Sequence, residues 1–110
     1  LQTRGGSAVE VDALSTPTNR ILLRGNASGG APRVEAAGGD TNVALDLRAK
    51  GAAPVAVSMP LQLPAYTVAT LPSPLTFSRC IAFVSDGTAN KRLAVSDGVA
   101  WRWPDGNVVG

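Results

Sequence analysis

Cys80-Ile81-Ala82-Phe83-Val84-Ser85-Asp86-Gly87, then Leu93-Ala94-Val95-Ser96-Asp97-Gly98-Val99-Ala100-Trp101-Arg102-Trp103, is the stretch that decides the fold class of this chain. Within it Val84-Ser85-Asp86-Gly87 recurs eleven residues later as Val95-Ser96-Asp97-Gly98, and a third Asp-Gly follows at Asp105-Gly106. Short apolar runs bounded by Asp-Gly are a strong local hairpin cue: Asp bonds its own turn backbone and Gly accepts positive φ. The spacing predicts a meander with strands over residues 80–85, 91–96 and 99–103.

The same grammar extends toward the N-terminus. Residues 9–12, 43–48 and 55–58 alternate apolar with polar or small side chains, and 20–24, 33–36 and 66–70 also read as short strands. Eight prolines and twelve glycines interrupt the chain, and no apolar spacing of helical period lasts three turns. One helical turn is expected within residues 71–78, with Ser73 as N-cap and Pro74 at the first position. Pro60 and Pro64 favour an extended connector. The organisation expected is therefore a repetitive β module over 1–59, a Pro-rich connector over 60–65 and a β-meander module over 66–110. Gly25, Gly38 and Gly51 stand thirteen residues apart, as a turn-plus-strand repeat would place them.

Composition limits what such a chain does. Hydrophobic residues make up 45%, yet all the aromatics (Tyr66, Phe77, Phe83, Trp101, Trp103) lie beyond residue 65. Small aliphatics in the first half must pack tightly or borrow surface from neighbouring chains, and three copies around an axis supply that surface. Ten Lys and Arg against eight Asp and Glu leave a net charge of +2, with the arginines scattered singly, a pattern that speaks against nucleic acid. No run of some 18 apolar residues points to membrane insertion. The single cysteine, Cys80, has no partner for an intrachain disulfide and reads as a buried thiol.

Catalytic chemistry is not visible. There is no histidine, which removes His-dependent triads and His metal sites. Asp86, Asp97 and Asp105 each precede glycine and read as turn residues rather than a glycosidase pair. Asp86-Gly87-Thr88-Ala89-Asn90 lacks the closing Glu of a calcium loop. No cofactor, metal or enzymatic activity is expected. Trp101 and Trp103, two apart on one strand face, either form the core of the second module or stack on sugar rings.

Asp40-Thr41-Asn42-Val43-Ala44-Leu45-Asp46-Leu47-Arg48-Ala49-Lys50-Gly51 resembles a motif of phage fibre and tail-associated proteins, T-N-x-x-L-x-L-x-x-K-G before a Gly-rich turn and a Val-rich strand. The run from Tyr66-Thr67-Val68-Ala69-Thr70-Leu71-Pro72 through Arg79, the two Val-Ser-Asp-Gly units and Trp101-Arg102 is similar to the C-terminal ending of phage and prophage structural proteins. Ala49 replaces the usual proline, and Ala52-Ala53 a Thr-Gly turn.

The resemblance implies a trimeric fibre or spike on the exterior of a virion (tail, baseplate or head), joined to other virion proteins through a region N-terminal to Leu1. The expected fold is all-β, an elongated homotrimer with a β-prism or triple β-helix-like first module. In it Val43, Leu45, Leu47, Val55 and Val57 face the other chains. The expected role is structural, and the alternative is a receptor-binding module in which Trp101 and Trp103 meet host surface polysaccharide.

Overall fold

The computed structural model describes residues 6, 8–12 and 14–110; expectations touching residues 1–5, 7 and 13 of the first module lie outside them. The described chain is all-β, six short strands in two sheets with no helix longer than one turn. It divides into two units, Leu1–Val55 and Ala56–Gly110.

In the first unit β1 (Asn19–Arg24) pairs antiparallel with β2 (Arg33–Gly38), in register from Asn19 opposite Gly38 to Arg24 opposite Arg33. Asn26 organises the connecting loop: its Oδ1 accepts from the Ala27 N–H at 2.8 Å and its Nδ2 donates to the Ala31 carbonyl at 3.2 Å. At the other end glycine is required at position 38. Its φ is 149°, and a Cβ there would sit 2.5 Å from the Thr18 carbonyl oxygen. The period of two sorts the hairpin into an apolar face, Ile21 opposite Ala36 and Leu23 opposite Val34, and a mixed face where Arg24 pairs with Glu35 at 2.8 Å. No described residue of this unit is buried.

Three further expected strands, the last spanning the boundary between the units, do not form. Residues 9–12, 43–48 and 55–58 are extended or bent without ladder partners among the described residues. Alternation makes a segment compatible with a sheet, but a strand also needs a second backbone to take up its N–H and C=O groups. The thirteen-residue spacing accordingly marks a loop start at Gly25, a strand end at Gly38 and a turn at Gly51 (φ 65°), not three turn-plus-strand units.

The second unit is the expected meander with one added strand. β4 (Ile81–Val84), β5 (Leu93–Ser96) and β6 (Trp101–Arg102) pair antiparallel in sequence order, and β3 (Ala65–Tyr66) adds parallel to β4. The strand expected over 66–70 stops at Tyr66. The Thr67 N–H bonds to Thr70 Oγ1 at 2.9 Å and the Val68 N–H to Asp86 Oδ1 at 2.8 Å, which draws Val68–Thr70 into a 3₁₀ turn. The helical turn after Ser73 forms as the sequence predicts: Ser73 Oγ accepts from the Thr76 N–H at 3.4 Å and the Ser73 carbonyl from the Phe77 N–H at 3.1 Å.

One face of the sheet carries Ala82, Val84, Ala94 and Ser96, all buried, with Trp101 opposite Ser96 on the next strand. Trp103 completes this core, and Tyr66, Val68, Leu71, Cys80 and Val109 pack around it. The small Ala82 and Ala94 face one another across the ladder and leave room for two indoles. Ser96 is the only buried polar residue among those described, and it is satisfied: its Oγ donates to the Pro74 carbonyl at 2.7 Å and accepts from the Gly98 N–H at 3.1 Å. The residues past β6 fold back over it, with Arg102 bridging Val108 and the Val109 N–H bonding the Trp101 carbonyl at 2.9 Å.

The two Val-Ser-Asp-Gly copies do not form the same turn. After β5, Gly98 takes φ 92°, and Asp97 Oδ1 accepts from the Val99 and Ala100 N–H groups at 2.8 and 2.9 Å. After β4, Gly87 has φ −61°, and the chain reverses two residues later, where Ala89 (φ 54°) and Asn90 (φ 61°) lie between Thr88 and Lys91. Positive φ at both central residues is the arrangement that suits hairpin twist, and Asn tolerates it better than Ala.

Candidate functional site

Trp101 and Trp103, separated by Arg102, both lie on the inner side of the second unit, 6% and 4% exposed. The Trp101 Nε1 donates to the Pro72 carbonyl at 2.7 Å, so its one polar atom is taken up inside the unit. Stacking on a sugar needs an open ring face. Of the two readings the sequence leaves open for this pair, the burial favours the core: both indoles are the mass of a core that has no other ring as deeply buried.

The residues expected at a chain-to-chain contact lie differently. Val43 is half-buried; Leu45, Leu47, Val55 and Val57 are exposed, Leu47 at 65% and Val57 at 60%. Asp46 and Arg48 join in an ion pair at 2.8 Å, as side chains two apart on one side of an extended chain do, and the Arg48 guanidinium holds the Asp46 carboxyl below its usual range. Val43 to Asp46 line a shallow groove with Asn19, Arg20, Ile21 and Ala36 within the first unit.

Each of the three Asp-Gly carboxylates has backbone or cationic partners of its own. Asp97 caps the β5–β6 turn and also bonds Arg102 Nε at 2.5 Å. Asp105 caps its own turn through the Asn107 N–H at 2.9 Å and pairs with Lys91 Nζ at 2.5 Å. Asp86 departs from the expected turn role and instead anchors the 3₁₀ turn through Val68. Among the described residues no cluster of His, Cys, Asp and Glu is arranged to hold a metal.

Hydrogen bonds from the Ala100 N–H, from Arg102 and from the Val99 N–H hold the Asp97 carboxyl far below the usual carboxylate range. Lys91, then the Asn107 N–H, lower Asp105. A depressed folded-state pKa contributes stability that is present above the unfolded-state value, and it is lost as pH falls through the folded value. Wild-type protein is thus expected to lose stability progressively below about pH 4. Asp97→Asn should flatten that slope. Thermal melts across this acid range check it, and equal slopes in the two proteins would rule the Asp97 network out as its cause.

One surface was missed when the strands were read only as hairpin arms. The outer face of the second sheet presents Ile81 opposite Val95 and Phe83 opposite Leu93, each 38–45% exposed. Its signal was present: residues 80–84 and 93–95 are apolar without a break, the pattern of strands covered on both faces.

No protein-family model, curated protein or solved structure matches the chain.

Proposed function

We propose that this chain is a structural subunit of a homotrimeric fibre or spike on the exterior of a tailed-phage or phage-like particle. The observation that carries the reading is the first unit, a regular hairpin in which no described side chain is buried and Ile21, Leu23 and Val34 are 57–67% exposed. A lone two-stranded sheet is marginal in water, so a hairpin of this kind gains its stability from surface supplied by other chains. A closed ring of three copies supplies it symmetrically. The Thr41-Asn42 to Lys50-Gly51 motif and the Val-Ser-Asp-Gly ending point to the phage class, and the turn-bound carboxylates suit a structural part rather than an enzyme.

In this reading Val43, Leu45 and Leu47 turn toward the neighbouring chains, with Val55 and Val57 continuing the row. Light scattering of the purified chain should give a mass near three times 11.2 kDa. Leu45→Asp, which sets three carboxylates near one axis, should abolish the trimer through desolvation and mutual repulsion, and Asp46→Leu should leave it intact. A stable folded monomer at micromolar concentration would sink the trimer. Immunogold labelling of particles with an antibody to the chain tests the location, and labelling of soluble fractions alone speaks against it.

A further inference from the structure

The geometry points to an anion site on the first-unit hairpin, where Arg24 and Arg33 together hold a phosphate monoester. The arginines are spaced singly along the chain, and only the ladder brings them together. Arg24 stands directly opposite Arg33 and Arg20 opposite Ala37, so the period of two puts all three on the face that also carries Leu22 and Glu35. All three are exposed. Three arginines and one glutamate give this face a net charge of +2, which is the net charge of the whole chain. Ten Lys and Arg less these three, and eight Asp and Glu less Glu35, leave seven of each elsewhere. The entire excess therefore stands on one side of one hairpin.

Register makes the Arg24–Arg33 pair more than a charged patch. Like charges directly opposite in an antiparallel ladder destabilise it, and Glu35 relieves only one of the two. Its Oε1 accepts from Arg24 Nε at 2.8 Å, which fixes that guanidinium and leaves its Nη groups without a partner. Among the described residues no other acid pairs with any of the three arginines; Asp40 accepts from Asn19 and Asp46 from Arg48. Arg24 and Arg33 also line a concavity at the loop end of the hairpin, with Leu23, Gly25, Pro32 and Val34. Two forked donors on directly opposed residues suit the several oxygens of one dianionic group. A singly charged carboxylate gains less against the neighbouring Glu35. Arg20, four residues and roughly 13 Å along the strand from Arg24, is too far to share the same group. Three cations are too few for nucleic acid, whose binding rests on many phosphate contacts. The site lies within one chain and opposite the face of Ile21, Leu23 and Val34, so covering the apolar side does not close it.

NMR titration of the full chain with glucose 6-phosphate, with glucose as the blank, tests this through the arginine Nε–H and hairpin amide signals. Saturable shifts at Arg24 and Arg33 are expected at about millimolar concentration, and none with glucose. Arg33→Gln should weaken binding about ten-fold, and Arg33→Lys, which keeps the charge but loses the fork, by about three-fold. Arg20→Gln removes the same charge from the same face beyond the screening length, and should change binding by less than about two-fold. If Arg33→Gln loses the hairpin amide pattern, Arg33→Lys carries the comparison alone. Equal losses from the Arg20 and Arg33 variants would reduce the site to general charge attraction and overturn it, as would no shift at about ten times the expected concentration. Shifts with a DNA oligonucleotide or phosphatidylglycerol vesicles, and none with glucose 6-phosphate, would assign the face to a polyanion and overturn the proposal too. The readout does not depend on mass, so a monomer that binds removes the trimer and keeps the site.

Discussion

Replacing Trp103 by alanine is expected to unfold the second unit at room temperature. Truncating a buried indole costs about 3–5 kcal/mol through lost burial and the cavity left behind. A unit of the size of Ala56–Gly110 commands only about 3–8 kcal/mol in total. Little else is available to refill the space, because the neighbours across the ladder are Ala82 and Ala94, and the next large side chains, Tyr66 and Leu71, are only partly buried. Val99→Ala is the control: its side chain is 83% exposed, and its loss should change stability by no more than ~0.5 kcal/mol. Urea denaturation followed by the remaining indole, Trp101, distinguishes the two. A Trp103→Ala protein with a native transition would mean that the core is held by other contacts.

Gly87→Ala should be nearly as damaging, for a reason unlike the usual one. At φ −61° and ψ 144° glycine is not needed for its conformation, and an alanine there would gain about 0.4–1 kcal/mol by restricting the unfolded chain. Space decides against it. An added Cβ would fall 2.0 Å from the Lys91 carbonyl oxygen and 2.5 Å from Trp103 Cη2. Overpacking of this kind costs about 1–3 kcal/mol or more where the obstacle is backbone, so the net effect is a clear loss. Trp103→Phe in the same protein should fail to rescue it, since the Lys91 carbonyl still blocks the site. A Gly87→Ala protein as stable as wild type in thermal melts would show that the β4–β5 connection shifts freely.

The two copies of Val-Ser-Asp-Gly mark how far local reading reaches. Identical letters predict identical turns, and the prediction succeeds at Asp97-Gly98, where the carboxylate and the positive φ fall into place. At Asp86-Gly87 it fails, because Val68 takes the carboxylate and Trp103 needs the missing Cβ. Both partners are distant in the chain, so no window around residue 86 contains them. Trp101 and Trp103 make the same point for the candidate site: spacing placed them on one face, but whether that face met solvent depended on what packed against it.

Local chemistry was enough for the all-β class, the β4–β5–β6 meander and the Ser73 helical turn, because alternation, Asp-Gly turns and proline act over a few residues. The parallel addition of β3, the different uses of Gly87 and Gly98, and the burial of both indoles followed from contacts between segments far apart in sequence. Residues 43–48 carry strand alternation yet find no ladder partner among the described residues, and the outer rows of Phe83 and Leu93 are apolar yet uncovered. An alternating segment becomes a strand, and an apolar face becomes a core, only when another surface arrives to take up its hydrogen bonds and exclude its water.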